Sequence, residues 1–252
     1  MIASLSGVQL WYEDTGQGVP VVLLHAGTGS CPMWAYQVRA FGEAGFRCIA
    51  YDRRGHGRSE VSEPAAAADD LQLLVESLGL ERFHVVGTAA GGIVAIDYAL
   101  SFPQRLRSLV IANSIGGVQD EEYLELQRRL RPAPQFGALP PEVRELGPSY
   151  RAANPDGVRQ WVELEQASRP GGPHSLPKTR NRITFASLET ISLPTLLLTG
   201  DADLYTPPPV LNLFRNRIRD SQAMVITECG HSAYWEQPEL FNRAVLDFIA
   251  KH

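Results

Sequence analysis

The stretch that decides the fold is VVGTAAGG, at residues 85–92. A short, mainly apolar run begins at Phe83 and has the length of a strand. Apolar residues at helical spacing begin soon afterwards, at Ile93. The strand therefore passes into a helix almost at once. Such a turn needs small residues on both flanks, because the backbone bends sharply and the two elements pack closely. Gly87 and Gly91 stand at those flanks.

Strands and helices alternate on both sides of this turn. Short apolar runs typical of strands alternate with segments of helical spacing. In chain order these are residues 21–24, 34–44, 48–51, 71–80, 83–86, 93–100 and 109–112. Strands separated by helices favour parallel pairing, with the helices covering both faces of the sheet. We therefore predict an α/β fold with a mostly parallel central sheet.

The alternation stops in the middle of the chain. From about residue 116 to 189, charged helical pieces are broken by many prolines and by the Pro-Gly-Gly-Pro run at 170–173. The strand pattern returns at 193–200 and the chain closes on an amphipathic helix. This pattern predicts a core made of residues 1–115 and 190–252, with residues 116–189 inserted as a helical cap.

Composition excludes several classes of function. The 252 residues are 44% apolar and carry a net charge of −5, without the cluster of basic residues that nucleic-acid binding requires. No stretch approaches the roughly 18 apolar residues of a membrane span, and the first residues do not resemble an export signal. The three cysteines, Cys31, Cys48 and Cys229, have no disulfide or zinc-ligand spacing. We expect a cytoplasmic protein that acts on a small molecule, with no metal, cofactor, nucleic acid or membrane partner.

The turn at residues 85–92 resembles the nucleophile elbow, G-x-S-x-G, of the α/β-hydrolase family. One residue departs from the pattern, because the nucleophile position holds Ala89. The alternative is a glycine-rich phosphate loop of the dinucleotide or P-loop type. The chain has no Lys-Ser/Thr pair after the glycines and no G-x-G-x-x-G after its first strand, so this alternative is rejected.

Two further loops resemble the same family. HAGTG at residues 25–29 is similar to the family's His-Gly-x-Gly turn, and DRRGHGRS at 52–59 is similar to its D-x-R-G-x-G-x-S loop. In the family, one amide of the first loop and the amide after the nucleophile form the oxyanion hole. The resemblance assigns these amides to Gly27 and Ala90, with Thr28 as the alternative to Gly27.

The resemblance also implies a base and an acid. GDAD at residues 200–203 follows a strand and places the acid at Asp203, with Asp201 as its competitor. CGHS at 229–232 places the base at His231. The chain order of nucleophile position, acid and histidine agrees with this fold. The implied reaction is hydrolysis of a carboxylic ester, a lactone or a C–C bond of a ring-cleavage product.

Ala89 leaves two hypotheses. The chain is either an inactivated serine hydrolase that traps its substrate, or a protein that dispenses with nucleophilic catalysis. The second hypothesis covers an enzyme in which His231 and Asp203 only move protons, and a receptor that only binds a ligand. The intact acid, base and oxyanion loops favour the first hypothesis, because an idle buried Asp-His pair has little physical justification.

The predicted cap supplies candidate walls for a substrate pocket. Trp161 and Tyr123 in that segment, together with Trp34 from the core, are the predicted substrate-binding residues. The segment also holds nine arginines, of which one or two are expected to face inward and pair with a substrate carboxylate.

Overall fold

The computed structural model describes residues 1–63, 65–168 and 176–252. Their strands form one eight-stranded sheet in the order β1-β2-β4-β3-β5-β6-β7-β8. The strands are β1 (Ile2–Leu5), β2 (Val8–Thr15), β3 (Pro20–Leu24), β4 (Arg47–Tyr51), β5 (Phe83–Thr88), β6 (Leu106–Ala112), β7 (Thr195–Gly200) and β8 (Ser221–Ile226). Strand β2 is antiparallel to β1 and β4, and all other neighbouring strands are parallel. The predicted mostly parallel sheet is confirmed.

Helices cover both faces of this sheet. They are α1 (Ala35–Glu43), α2 (Ala67–Ser77), α3 (Ala90–Ser101), α4 (Glu121–Leu130), α5 (Gln135–Ala138), α6 (Pro141–Glu145), α7 (Pro148–Ala153), α8 (Pro155–Ala167), α9 (Phe185–Leu188), α10 (Pro208–Arg215), α11 (Ala233–Glu236) and α12 (Pro238–Ile249). Two short 3₁₀ helices span Cys31–Trp34 and Pro103–Arg105. Among these helices of the described ranges, none is long and apolar enough to cross a membrane.

The core consists of two apolar clusters, one on each side of the sheet. Side chains alternate along a strand, so Val22 and Leu24 of β3 join the cluster formed with α2 and α3, whereas Val21 and Leu23 join the cluster formed with α1 and α12. All four side chains are fully buried. Burial on both faces explains why the central strands are continuous apolar runs in the sequence.

Helices α4 to α9 lie between β6 and β7, where the sequence loses its strand pattern. Prolines occupy the first turns of α6, α7 and α8, a position that lacks an intrahelical hydrogen bond in any case. Asn154 caps α8 by accepting the Gly157 N–H at 2.9 Å. The bounds proposed for core and cap stay predictions. The Pro-Gly-Gly-Pro run at 170–173 lies outside the described residues.

Candidate active site

The elbow between β5 and α3 holds Ala89 in a strained backbone conformation, with φ 49° and ψ −114°. Positive φ is unusual for a residue with a Cβ and persists only where the surroundings impose it. Here the Ala89 N–H donates to the Ala112 carbonyl at 2.9 Å, and the Ser114 hydroxyl donates to the Ala89 carbonyl at 2.6 Å. Both partners come from the end of the neighbouring strand β6 and the residues that follow it. The backbone of residue 89 is thus fixed from the next strand.

Glycines make this turn sterically possible. A Cβ added at Gly87 would lie 2.4 Å from the Gly91 carbonyl oxygen, and one at Gly91 would lie 2.0 Å from the Leu24 carbonyl oxygen. Both clashes are with backbone, which cannot move aside as a flexible side chain can. The two glycines predicted to flank the turn are therefore required by the close approach of α3 to β5 and β3.

Gly27 and Ala90 line one cavity together with Ala89. Ala90 is the first residue of α3, so its N–H has no intrahelical acceptor. Among the described residues, neither amide donates a hydrogen bond to another protein group. Both predicted oxyanion donors are thus at the cavity wall. Thr28, the alternative to Gly27, lines the same cavity.

A buried network holds the loop that carries Gly27. The Arg53 backbone N–H donates to His25 Nε2 at 2.9 Å, so Nδ1 carries the ring proton and donates to the Ala26 carbonyl at 2.7 Å. The Arg53 guanidinium donates to the same carbonyl at 3.1 Å. Burial, with a contribution from the Arg53 charge, lowers the pKa of His25 well below its usual value. A neutral His25 therefore joins the two loops that the sequence singled out.

His231 and Asp203 form a buried pair. Nδ1 of His231 lies 2.9 Å from each oxygen of the Asp203 carboxylate, and the imidazole also lines the cavity. The competitor, Asp201, is exposed and instead accepts the Cys229 N–H at 3.3 Å. The structure thus brings Asp203, and not Asp201, to the histidine.

Hydrogen-bond donors surround the Asp203 carboxylate. The N–H groups of Tyr205 and Thr206 donate at 2.7 and 3.0 Å, and the Asn113 amide donates at 3.0 Å. Burial alone favours the neutral acid, but His231 and the Thr206 donors outweigh it and hold the pKa of Asp203 well below its usual range. Burial likewise disfavours the imidazolium, yet the Asp203 charge outweighs it and raises the pKa of His231. The pair is arranged to stabilise a proton taken up by the imidazole.

Glu236 ties the histidine loop to the segment between β6 and β7. Its buried carboxylate accepts the N–H groups of Gly147, Gly230 and Ser232 at 2.7, 2.9 and 3.1 Å. Burial, opposed by these hydrogen bonds, raises the pKa of Glu236 to about 7. The His231 N–H adds a bond of 2.9 Å to the Glu145 carbonyl. The position of His231 thus depends on contacts within its own loop and on contacts with the segment between β6 and β7.

The cavity has a volume of about 200 Å³ and two unlike walls. The core wall is formed by Gly27, Thr28, Ala89, Ala90, Ile93 and His231. The helical wall is formed by Arg131, Arg144 and Glu145, and Ile115, Leu176 and Tyr205 complete the lining.

Two polar lining residues, Tyr205 and Glu145, were not predicted from the sequence. The Tyr205 ring lies against the His231 imidazole, with centroids 4.2 Å apart, and its hydroxyl donates to Glu145 Oε1 at 3.1 Å. Glu145 is only 5% exposed, and burial raises its pKa although His231 and Tyr205 oppose the shift. Glu145 and His231 are far apart in the sequence. The only available hint was that Tyr205 follows Asp203 by two residues.

The three predicted wall residues lie elsewhere. Trp34 and Trp161 are fully buried in the apolar cluster that includes α12. Tyr123 packs in the opposite cluster, where its hydroxyl donates to the Ile115 carbonyl at 3.0 Å. None of them is among the described residues that line the cavity. Large apolar rings gain free energy from complete burial, which accounts for the place of Trp34 and Trp161 in the core.

No metal site accompanies this cavity within the described ranges, where no group of three or more His, Cys, Asp or Glu side chains is placed to hold an ion.

The α/β hydrolases are defined by a mostly parallel sheet covered by helices, an elbow after a central strand and an Asp-His pair at the same edge of the sheet. This chain has all three features. The chain belongs to the α/β-hydrolase fold family, whose model matches residues 19–238.

Relatives and solved structures agree with this assignment. A 2-hydroxy-6-oxononadienedioate/2-hydroxy-6-oxononatrienedioate hydrolase from Burkholderia vietnamiensis is 30% identical over 270 residues, which cover 97% of this chain and 92% of that protein. A thermophilic esterase from Thermogutta terrifontis superimposes with a TM-score of 0.84 at 28% identity, covering 100% of this chain and 98% of the esterase. Est816, described as an N-acyl homoserine lactone degrading enzyme, superimposes with a TM-score of 0.80 at 25% identity, covering 98% of this chain and 100% of Est816.

Proposed function

We propose that the cavity is the active site of a hydrolase framework that cleaves small carbonyl substrates by a nucleophile, His231 and Asp203. Ala89 occupies the nucleophile position, so the chain as it stands binds substrate without forming an acyl intermediate. The observation that carries the proposal is the His231 imidazole, fixed at Nδ1 by Asp203, on one wall with Ala89, Gly27 and Ala90. An imidazole beside two amides without a described acceptor is the arrangement that attack on a carbonyl carbon requires.

The mechanism follows from these placements once a serine stands at position 89. Nε2 of His231 takes the hydroxyl proton while Asp203 stabilises the imidazolium, and the serine oxygen attacks the carbonyl carbon. The amides of Gly27 and Ala90 then donate to the oxyanion. His231 returns the proton to the leaving group. A water molecule deprotonated by His231 finally releases the acyl group and restores the hydroxyl.

The bond to be cleaved is that of an ester, a lactone or a C–C bond of a ring-cleavage product, and in each case a carbonyl carbon is attacked. The names of the relatives and structural neighbours support this range, since they include a hydrolase of 6-oxo dioates, an esterase and a lactone-degrading enzyme. Helices α4 to α9 act as the cap, because Arg131, Arg144 and Glu145 of this segment line the cavity. A reducing, cytoplasmic location is supported by three buried cysteines that are all free thiols.

The test compares three proteins in the hydrolysis of an activated ester, p-nitrophenyl acetate: the chain itself, Ala89→Ser, and Ala89→Ser with His231→Ala. Serine keeps the Cβ of alanine, so the elbow is not disturbed. We expect Ala89→Ser to raise kcat by several orders of magnitude, up to about 10⁶-fold, and the added His231→Ala to abolish the gain.

Other outcomes separate the competing hypotheses. If the unmodified chain turns over substrate and His231→Ala abolishes this activity, the protein is an enzyme in which His231 and Asp203 only move protons. A folded Ala89→Ser protein that hydrolyses no member of a panel of esters and lactones would contradict the proposal and leave a ligand receptor.

A further inference from the structure

Two arginines on the helical wall are incompletely hydrogen-bonded by the described residues. Of the arginines between β6 and β7 that the structure describes, Arg131 and Arg144 are the ones that line the cavity. The Nε atoms of both are buried and, within the described residues, without a hydrogen-bond partner. A buried N–H group of a guanidinium that lacks an acceptor costs free energy, which a bound anion can offset.

Arg131 is only partly engaged by the protein. One terminal nitrogen donates to the Gln127 side chain at 2.6 Å, and the guanidinium carbon lies 5.2 Å from the centroid of the Tyr205 ring. Gln127 carries no charge, so the positive charge of Arg131 is not neutralised by this contact. Burial lowers the pKa of Arg131, which reflects the cost of keeping a cation at this wall.

Arg144 has still fewer contacts. Within the described ranges its guanidinium donates no hydrogen bond and joins no ion pair. Its immediate neighbour Glu145 is the one carboxylate among the described lining residues, but it accepts the Tyr205 hydroxyl and forms no ion pair with either arginine. Two cationic groups thus remain available to a ligand.

The arginines also line a groove that adjoins the cavity. A more open groove of about 450 Å³ is lined by Arg131, Arg144 and Tyr205 together with residues of α4 and α5. The same three side chains therefore contact both the cavity and this groove. His231 lines the cavity and is not among the described residues that line the groove, so the arginines lie at the side of the cavity next to the groove.

We propose that the substrate is a carbonyl compound that also carries a carboxylate, and that Arg131 and Arg144 bind this carboxylate while the carbonyl faces Gly27, Ala90 and His231. The planar guanidinium fork matches a carboxylate in charge and shape. The Tyr205 ring contacts both groups, with its centroid 5.2 Å from the Arg131 guanidinium carbon and 4.2 Å from the His231 ring centroid. A linker of a few carbon atoms between carboxylate and carbonyl matches this proximity.

This assignment of substrate class rests on the proposed function for the place of the carbonyl, but its test does not need turnover. The unmodified chain is titrated calorimetrically with monomethyl adipate, which has one ester and one carboxylate, and with dimethyl adipate, its neutral counterpart. We expect the anion to bind roughly tenfold or more tightly, in keeping with hydrogen bonds to a charged group.

Variants locate the effect. Arg131→Gln and Arg144→Gln are each expected to weaken binding of monomethyl adipate by roughly tenfold and to leave dimethyl adipate unaffected. The matched control is Arg159→Gln, which removes the same charge from α8, where Arg159 is exposed and pairs with Asp156. Arg131→Lys and Arg144→Lys retain the charge, so they test the site even if a glutamine variant fails to fold.

Equal affinity of the two esters for the unmodified chain would overturn the proposal, as would an equal loss in the Arg159→Gln control. The two proposals fail separately. Dimethyl adipate cleaved by Ala89→Ser as readily as monomethyl adipate would refute the carboxylate site and retain the hydrolase. Arginine-dependent binding of monomethyl adipate, combined with an Ala89→Ser protein that hydrolyses no member of the panel of esters and lactones, would retain the carboxylate site and refute the hydrolase.

Discussion

The two walls of the cavity are built in opposite ways. On the core wall, Asp203 is surrounded by donors, His231 is fixed by Asp203, and the backbone of Ala89 is held from the neighbouring strand. On the helical wall, Arg131 and Arg144 have buried nitrogens without a described partner. Groups that take part in chemistry must be held in place before the substrate arrives. Groups that recognise a substrate must keep hydrogen-bonding capacity free for it.

The difference extends to the backbone. Added Cβ atoms clash with backbone at Gly87 and Gly91 of the elbow, whereas a Cβ at Gly137 of α5 meets nothing within 4 Å. The elbow on the core wall is thus sterically constrained at both glycines, whereas position 137 has room for a side chain. Substitutions at open positions such as 137 can therefore alter the helical segment without altering the elbow.

The largest expected effect comes from breaking the most fully paired group of the core wall. In the Ala89→Ser protein, Asp203→Asn keeps the shape of the side chain but offers an amide to His231 Nδ1, which disfavours the tautomer that the base requires. We expect kcat for p-nitrophenyl acetate to fall by about 10⁴-fold. Asp201→Asn is the matched control, because Asp201 does not touch His231, and an equal loss in that variant would contradict the assignment.

The next effect compares the elbow with the helical segment through one glycine of each. Gly91→Ala forces a Cβ into the backbone of β3, and we expect the free energy of unfolding in urea to fall by about 3 kcal/mol. Gly137→Ala introduces the same methyl group into open space within a helix and is expected to be neutral or to stabilise by less than about 1 kcal/mol. Comparable losses in both variants would show that the elbow is not specially constrained.

The smallest effect is that of a charge on the helical wall on the pKa of His231 on the core wall. The charges of Asp203 and Glu145 raise the pKa of His231 above the ordinary 6.5, whereas burial and Arg131 lower it. The base must be neutral, so kcat/KM of Ala89→Ser should rise with pH to a midpoint above 6.5. Glu145→Gln removes one of the two negative charges and should lower this midpoint by less than about one pH unit.

Glu142→Gln provides the control for this measurement, because Glu142 belongs to the same helix α6 but does not line the cavity. A midpoint that is unchanged in Glu145→Gln, or that shifts equally in Glu142→Gln, would show that the helical wall does not act on His231.

Local constraints were readable from the sequence alone. Some features of the sequence follow from steric or hydrophobic requirements that involve only a few neighbouring residues. They are the glycines around Ala89, the apolar runs of β3 to β7 and the prolines of α6 to α8. The sheet, the elbow and the loops at residues 25–29, 200–203 and 229–232 follow from such requirements. Parallel strands end at one edge, so these loops meet there whatever the details of packing.

Tertiary structure alone decided the composition of the helical wall. Nothing local distinguishes Arg131 and Arg144 from the exposed arginines of the same segment, or Trp34 and Trp161 from rings that line pockets. Glu145 reaches Tyr205 across 60 positions of sequence and accepts the His231 N–H across a still larger separation. Such contacts depend on how whole helices pack, and packing free energy is shared among many side chains instead of being encoded at the residues that meet.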